Sequence, residues 1–236
     1  MFVHSHRTRR SSIDTTERDD ACSRRAVFDT FEGPYYNAFN YPGAIAARSR
    51  REDPRRVGLQ DDVAEVLIRE DELRARIADL GRQISTDYDS KTPLLVGILK
   101  GASIFLSDLI RQVTVPCLLD FIATSSYGTG TESSGIVRIL KDLDQSIEGR
   151  HVLIVDDIID TGYTMDYLLE TLKARYPASL RVCALLDKIS RRRRHVPIDY
   201  RGFEIPDKFV VGYGLDYGGI YRNLPFICVL RPEVYQ

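Results

Sequence analysis

"VLIVDDIIDTGYTM" spans residues 152–165 and decides how the rest of the chain is read. Four apolar residues, Val152 to Val155, run straight into Asp156 and Asp157. Two more apolar residues separate this pair from a third carboxylate, Asp160, and then come Thr161, Gly162, Tyr163 and Thr164. A short continuous apolar run is the mark of a strand buried on both faces. The pattern predicts that the strand ends at Asp156, that residues 157–164 form a loop and that a helix begins near Met165. Such a turn is an anion site, because orphan N–H groups and the positive end of the helix dipole point out of it. Thr161 and Thr164 add hydroxyl donors, and Gly162 lets the backbone approach closely. Carboxylates repel a phosphate unless they face hydroxyls, a metal ion or a proton to be abstracted. A ribose 5-phosphate meets both demands, with its phosphate in the turn and its hydroxyls against the aspartates. The spacings GxxxxGK[ST] and GxGxxG are both missing here, which excludes a P-loop and a dinucleotide fingerprint at this position.

Outward from this stretch the pattern is regular. "LLVGIL" (94–99), "CLLDFIA" (117–123), "IVRIL" (136–140), "HVLIV" (151–155), "LRVCALLD" (180–187), "KFVVGY" (208–213) and "FICVL" (226–230) read as strands. Leu73, Ile77, Leu80 and Ile84 repeat at helical spacing, as do Ile104, Leu106, Leu109, Ile110 and Val113, and again Met165, Leu168, Leu169 and Leu172. Pro177 ends the third of these helices. Alternating strands and helices predict an α/β fold with a mainly parallel sheet flanked by helices. Ligands of such sheets bind beyond the carboxyl ends of the strands, which is where Asp156 to Thr164 fall.

The chain has 236 residues, 43% of them apolar, and a formal net charge of -1. A core of ordinary size is available, and nothing global points to nucleic acid or to an anionic membrane. No apolar run approaches the ~20 residues that span a bilayer, and "MFVHSHRTRR" lacks the apolar core of a secretory signal. Cys22, Cys117, Cys183 and Cys228 form no CxxC pair. The expectation is reduced thiols in a cytoplasmic protein. Residues 1–56 stand apart, with eleven Arg, eight acidic residues and no Lys. Their weak periodicity predicts an extension that is disordered or loosely docked, its aromatic cluster Phe31, Tyr35, Tyr36, Phe39 and Tyr41 being the one feature suited to anchoring on a partner. Residues 57–236 form the expected domain. "ISRRRRHVP" (189–197) is read as a solvated loop beside acidic partners.

The stretch 156–164 resembles the phosphoribosyl-pyrophosphate (PRPP) signature of the type I phosphoribosyltransferases. "DDIIDTGYT" is similar to the form carried by the hypoxanthine-guanine phosphoribosyltransferases. "LLVGILKGASIFLSDLIR", "ATSSYGTGT", "GFEIPDKFVVGYGLDY" and "YRNLPFICVL" resemble segments of that family in the same order, over roughly residues 60–236. The resemblance implies the type I phosphoribosyltransferase fold with a small hood region. It also implies purine salvage: transfer of the phosphoribosyl group from PRPP to a 6-oxopurine, with release of pyrophosphate. Another base, xanthine or a pyrimidine, is the first alternative. A non-catalytic PRPP-sensing regulator that binds RNA is the second.

The same resemblance implies roles for single residues. Asp156 and Asp157 hold ribose hydroxyls and Mg2+; the family usually carries Glu-Asp here, so the first side chain is one methylene shorter. Asp160 is the general base, and Thr161, Gly162, Tyr163 and Thr164 take the 5-phosphate. Lys100 and Gly101 meet pyrophosphate, as does Arg222, and Asp216 holds a second Mg2+ through water. Lys188 meets the purine O6, Phe209 stacks on the ring, and the Val210 backbone meets its other edge. Ser126 and Tyr127 open a loop that closes over the site. A homodimer or homotetramer is the expected assembly.

Overall fold

In chain order the elements are β1 (Val63–Ile68), α1 (Glu70–Asp87), β2 (Leu94–Leu99), α2 (Ala102–Ile110), β3 (Leu118–Tyr127), β4 (Ile136–Lys141), β5 (His151–Ile159), α3 (Tyr163–Lys173), β6 (Ser179–Asp187), β7 (Tyr200–Glu204) and β8 (Ile227–Leu230). They come from a computed structural model that describes residues 58–127 and 136–234. The extension 1–56 with its aromatic cluster and Cys22, and residues 128–135 of the polar loop, lie outside the described residues.

Six strands form one sheet in the order β4-β3-β2-β5-β6-β7, parallel except for the antiparallel edge strand β4. The central strands are buried on both faces because their side chains alternate between two cores. Leu95, Leu153, Val155, Cys183 and Leu185 face α1 and α2, packing with Leu73, Ile77, Leu80, Ile84, Phe105, Leu106 and Leu109. Leu94, Val96, Val152, Ile154, Val182 and Ala184 face α3, packing with Met165, Leu168 and Leu172. The apolar positions named from helical spacing are therefore the ones that cover the sheet. α1 starts where the Arg69 amide donates to Glu72 Oε2 at 2.9 Å, with Glu70, Asp71 and Glu72 in its first turn favoured by the helix dipole.

β1 and β8 pair antiparallel as a separate two-stranded ribbon. A third core of Val211, Tyr221, Leu224, Cys228 and Leu230 packs with it. This is the small hood. Cys183 and Cys228 are buried and Cys117 is partly so; all three are free thiols. Burial pushes the Cys228 thiol up to about 11. Among the described residues no helix is long and apolar enough to cross a membrane.

The structure corrects several of the sequence-based expectations. β5 does not stop at Asp156: its parallel ladder to β6 continues through Asp156↔Ala184, Ile158↔Leu186 and Ile159↔Asp187. The aspartate pair is thus held on a strand, and only residues 160–162 remain between it and α3. α2 ends at Ile110, short of Val113. β3 runs to Tyr127, pairing Ser126↔Val137 and Tyr127↔Ile136 with β4. "KFVVGY" is not a strand; Val211 and Gly212 make only isolated bridges. Gly212, Tyr213 and Gly214 all have φ in the left-handed region, at 96°, 47° and 102°, and a ladder cannot continue through them. β1 and β7 are strands that the sequence pattern does not predict.

Candidate active site

The carboxyl ends of β2, β5 and β6 converge, and two lines of contact leave the end of β5. The first runs toward the hood. Asp156 is buried at 8% exposure, and its Oδ1 accepts the Asp157 amide at 3.1 Å. The Asp157 carboxylate lies directly over Gly101, where any Cβ would collide with its Oδ2. Gly101 in turn touches Gly214, since a Cβ at 214 would run into the Gly101 carbonyl oxygen. Glycine is required at both positions for this close approach. The Gly214 carbonyl accepts Arg222 Nη1 at 2.5 Å, and Arg222 Nη2 pairs with Asp216 Oδ1 at 2.5 Å. The peptide between Leu99 and Lys100 is cis, and the Lys100 side chain is exposed beside this turn.

Burial and the neighbouring Asp157 carboxylate push the Asp156 carboxyl well above the usual carboxylate range. Burial also raises Asp157, against the pull of the Arg222 guanidinium. Two adjacent buried carboxylates cannot both ionise freely, so the ligand-free pair favours one shared proton. A ligand with hydroxyls to donate, or a cation, relieves that repulsion.

The second line runs toward the base side. Lys188, at 6% exposure, follows β6 and donates from Nζ to the Lys208 carbonyl at 2.9 Å. The same Nζ lies 3.9 Å from Asp160 Oδ2 and 3.9 Å from Asp207 Oδ1. Arg191 joins the same two carboxylates, Nε to Asp160 Oδ1 at 3.4 Å and Nη1 to Asp207 Oδ1 at 3.8 Å. Phe209, next to Lys208, is 49% exposed, and its ring meets Tyr217 edge to face at 5.8 Å. The Val210 side chain is core, which leaves its backbone as the part able to meet a ligand.

Between the two lines a cavity of about 220 Å³ is lined by Asp156, Asp160, Thr161, Gly162, Thr164 and their apolar neighbours. Gly162 caps α3 with φ 89°, and a Cβ there would lie 2.8 Å from the Arg194 carbonyl oxygen. A polar, concave turn at a helix start, with an ionisable pair on one side and a buried cation on the other, can hold a phosphate, a polyhydroxyl ring and a carbonyl-bearing base together.

A phosphoribosyl transferase domain model matches residues 68–218. The chain belongs to the phosphoribosyltransferase family. A hypoxanthine-guanine phosphoribosyltransferase of Bacillus subtilis is 48% identical over 178 residues, covering 75% of this chain and 99% of that protein. A bifunctional TilS/HprT protein of Listeria monocytogenes is 50% identical over 178 residues, but this chain spans only 28% of its length. The crystal structure of a hypoxanthine phosphoribosyltransferase from Staphylococcus aureus superposes with a TM-score of 0.73 at 47% identity, covering 75% of this chain and 96% of that one.

In this phosphoribosyltransferase the structure gathers Asp156, Asp157, Gly101, Arg222 and Asp216 into one line of contacts, and Asp160 and Lys188 into another. Phe209 and Val210 are tied to the second through the Lys208 carbonyl. Ser126 and Tyr127 are the last residues of β3, their backbone paired with β4, directly before the polar segment 128–135 that lies outside the described residues. Sequence reasoning assigns no role to Asp207, Gly214, Asp187 or the individual arginines of the run. Arg191, Arg193 and Arg194 are exposed, as a solvated loop should be, Arg191 and Arg194 beside carboxylates; Arg192 is not. Its side chain is only 17% exposed and contacts buried Asp187. The available signal was four arginines directly downstream of a strand ending in Asp187.

Proposed function

We propose that this protein transfers the 5-phosphoribosyl group of PRPP to hypoxanthine or guanine, forming the 5'-monophosphate and pyrophosphate. The observation that carries the reading is buried Lys188 beside Asp160, at the rim of the phosphate turn. A buried cation there favours a carbonyl over an amino group at the purine 6-position, since an ammonium has only hydrogens to offer.

In this reading the 5-phosphate sits on the amides and hydroxyls of Thr161 to Thr164, and Asp156 and Asp157 accept the ribose hydroxyls. Gly101, Lys100 and Arg222 receive pyrophosphate. Phe209 stacks on the base and the Val210 backbone reads its far edge. Asp160 takes the proton from the purine ring as the ring nitrogen attacks the anomeric carbon and the bond to pyrophosphate breaks. Ser126, Tyr127 and the segment beyond them exclude water from the oxocarbenium-like centre.

Among the described residues no group of three or more His, Cys, Asp or Glu could hold a metal ion alone. The oxygens of Asp156, Asp157 and Asp216 nonetheless suit Mg2+, a hard ion that keeps several waters and takes further ligands from substrate phosphates. Asp156 and Asp157 would hold one ion on the ribose side, and Asp216 a second, through water, on the pyrophosphate side. The ions, when bound, neutralise charge gathering on the leaving pyrophosphate.

The catalytic unit in this reading is residues 57–236, working as a homodimer or homotetramer, and residues 1–56 take no part in the chemistry. The test is nucleotide formation from PRPP and Mg2+ with hypoxanthine, guanine, xanthine, adenine and a pyrimidine in turn. Product with the first two supports the reading. Product with none of them removes the enzyme and leaves a PRPP-binding protein.

A further inference from the structure

We propose that Arg192 is a positioning residue that fixes the direction of the amide groups in the phosphate turn; this rests on the reading of that turn as a ribose 5-phosphate site. Three consecutive carbonyls, those of Ile159, Asp160 and Thr161, accept from the arginine run, the first of them shared with the Lys188 amide at 3.0 Å. Arg192 Nε donates to the Asp160 carbonyl at 3.1 Å and Nη2 to the Ile159 carbonyl at 3.3 Å. The Thr161 carbonyl accepts the amides of Arg193 and Arg194 at 2.9 and 3.0 Å.

In a trans peptide the C=O and the next residue's N–H point in opposite directions. Carbonyls of 159, 160 and 161 held toward the run therefore turn the amides of Asp160, Thr161 and Gly162 away from it, into the cavity. Successive amides aimed at one point make an anion-binding nest, continuous with the orphan amides at the start of α3. The run also packs tightly behind the turn, with the Arg194 carbonyl oxygen close to Gly162.

Arginine suits this position and lysine does not. The planar fork lets one side chain reach two backbone carbonyls and a carboxylate at once, whereas an ammonium is a point charge on a flexible stem. The carboxylate is Asp187, at 1% exposure, which also holds Arg201 Nε at 2.8 Å. Asp187 thus anchors Arg192, and Arg192 orients the turn. Arg201 shares the anchor and makes no contact with the turn carbonyls.

That difference supplies the control. Arg192→Lys and Arg201→Lys both keep a cation near Asp187, so each tests geometry with charge retained. Calorimetry with ribose 5-phosphate reads the turn directly, and steady-state kinetics separate KM for PRPP from KM for the base and from kcat. Arg192→Lys is expected to weaken ribose 5-phosphate and to raise the PRPP KM by about tenfold, with kcat and base KM within about twofold of wild type. Arg201→Lys is expected to leave both phosphate readouts unchanged. Ribose 5-phosphate affinity within about twofold of wild type in Arg192→Lys, or equal losses in the two variants, would overturn the proposal. So would a wild-type protein that does not bind ribose 5-phosphate. Wild-type protein that binds it but forms no nucleotide sinks the transferase reading alone and leaves the binding comparison decisive.

Discussion

Asp156→Asn should make the ligand-free protein more stable above neutral pH. Asp156 is buried beside Asp157, and its carboxyl is raised well above the usual range by burial first and by the Asp157 charge second. A carboxyl whose folded pKa exceeds its unfolded value binds its proton more tightly in the fold. Its contribution is fully present in acid and is lost as pH rises from the ordinary value, about 4, through the raised one. Asparagine cannot ionise. Its Oδ1 can still accept the Asp157 amide, now accepted by Asp156 Oδ1 at 3.1 Å, and its amide can donate to the Asp157 carboxylate. Repulsion is thereby replaced by a hydrogen bond. Each decade in proton affinity corresponds to about 1.4 kcal/mol. A domain of this size gains about 2–4 °C in Tm per kcal/mol. Thermal melts in chelator, without PRPP, should therefore show the variant above wild type at about pH 8, by about 3–6 °C for each decade of raised proton affinity, and nearly level with it only below about pH 4. A variant that melts no higher than wild type at the upper pH, or by a margin that ignores pH, would refute the argument. Ribose binding should be lost in the same protein, as expected where a strained site and stability are traded.

Lys188→Met is expected to raise KM for hypoxanthine and guanine by about 10- to 100-fold while leaving KM for PRPP nearly unchanged; parallel losses in both would mark Lys188 as structural. Asp160→Asn is expected to lower kcat by about 10²–10⁴-fold with little effect on PRPP affinity, and a kcat close to wild type in single-turnover assays would remove Asp160 as the base. Deleting residues 1–56 is expected to leave specific activity and Tm almost unchanged, checked by assay and calorimetry; aggregation or inactivity would show that the extension completes the domain.

The centre of the fold was legible because burial on both faces leaves a strong mark. β2, β5 and β6 are continuous apolar runs, and α1 and α3 carry their core residues at helical spacing. The edges were not. "VAEVLI" and "YRGFE" have no comparable pattern, and β7 becomes a strand only because β6 offers it a partner. "KFVVGY" misled through β-branched residues, whose preference is overridden by the left-handed turn after them. The site divides in the same way. Asp156 to Thr164 lie within nine residues and declare their chemistry locally. Gly214, Asp207 and Arg192 reach the site only through tertiary packing, and charge alone made Arg192 resemble its exposed neighbours.

The seam between Gly101 and Gly214 has a consequence for how this protein can vary. Two segments more than a hundred positions apart meet there backbone to backbone, with no side chain between them to enlarge or trim. A clash at a packed side chain can be relieved by shrinking its neighbour, but a Cβ at 214 meets the Gly101 backbone, which has nothing to remove, and a Cβ at 101 meets first the Asp157 carboxylate, which the site cannot spare. Neither position has a second-site suppressor available at the other. In a saturation library both should tolerate almost no replacement, and double variants should be no fitter than the worse single one.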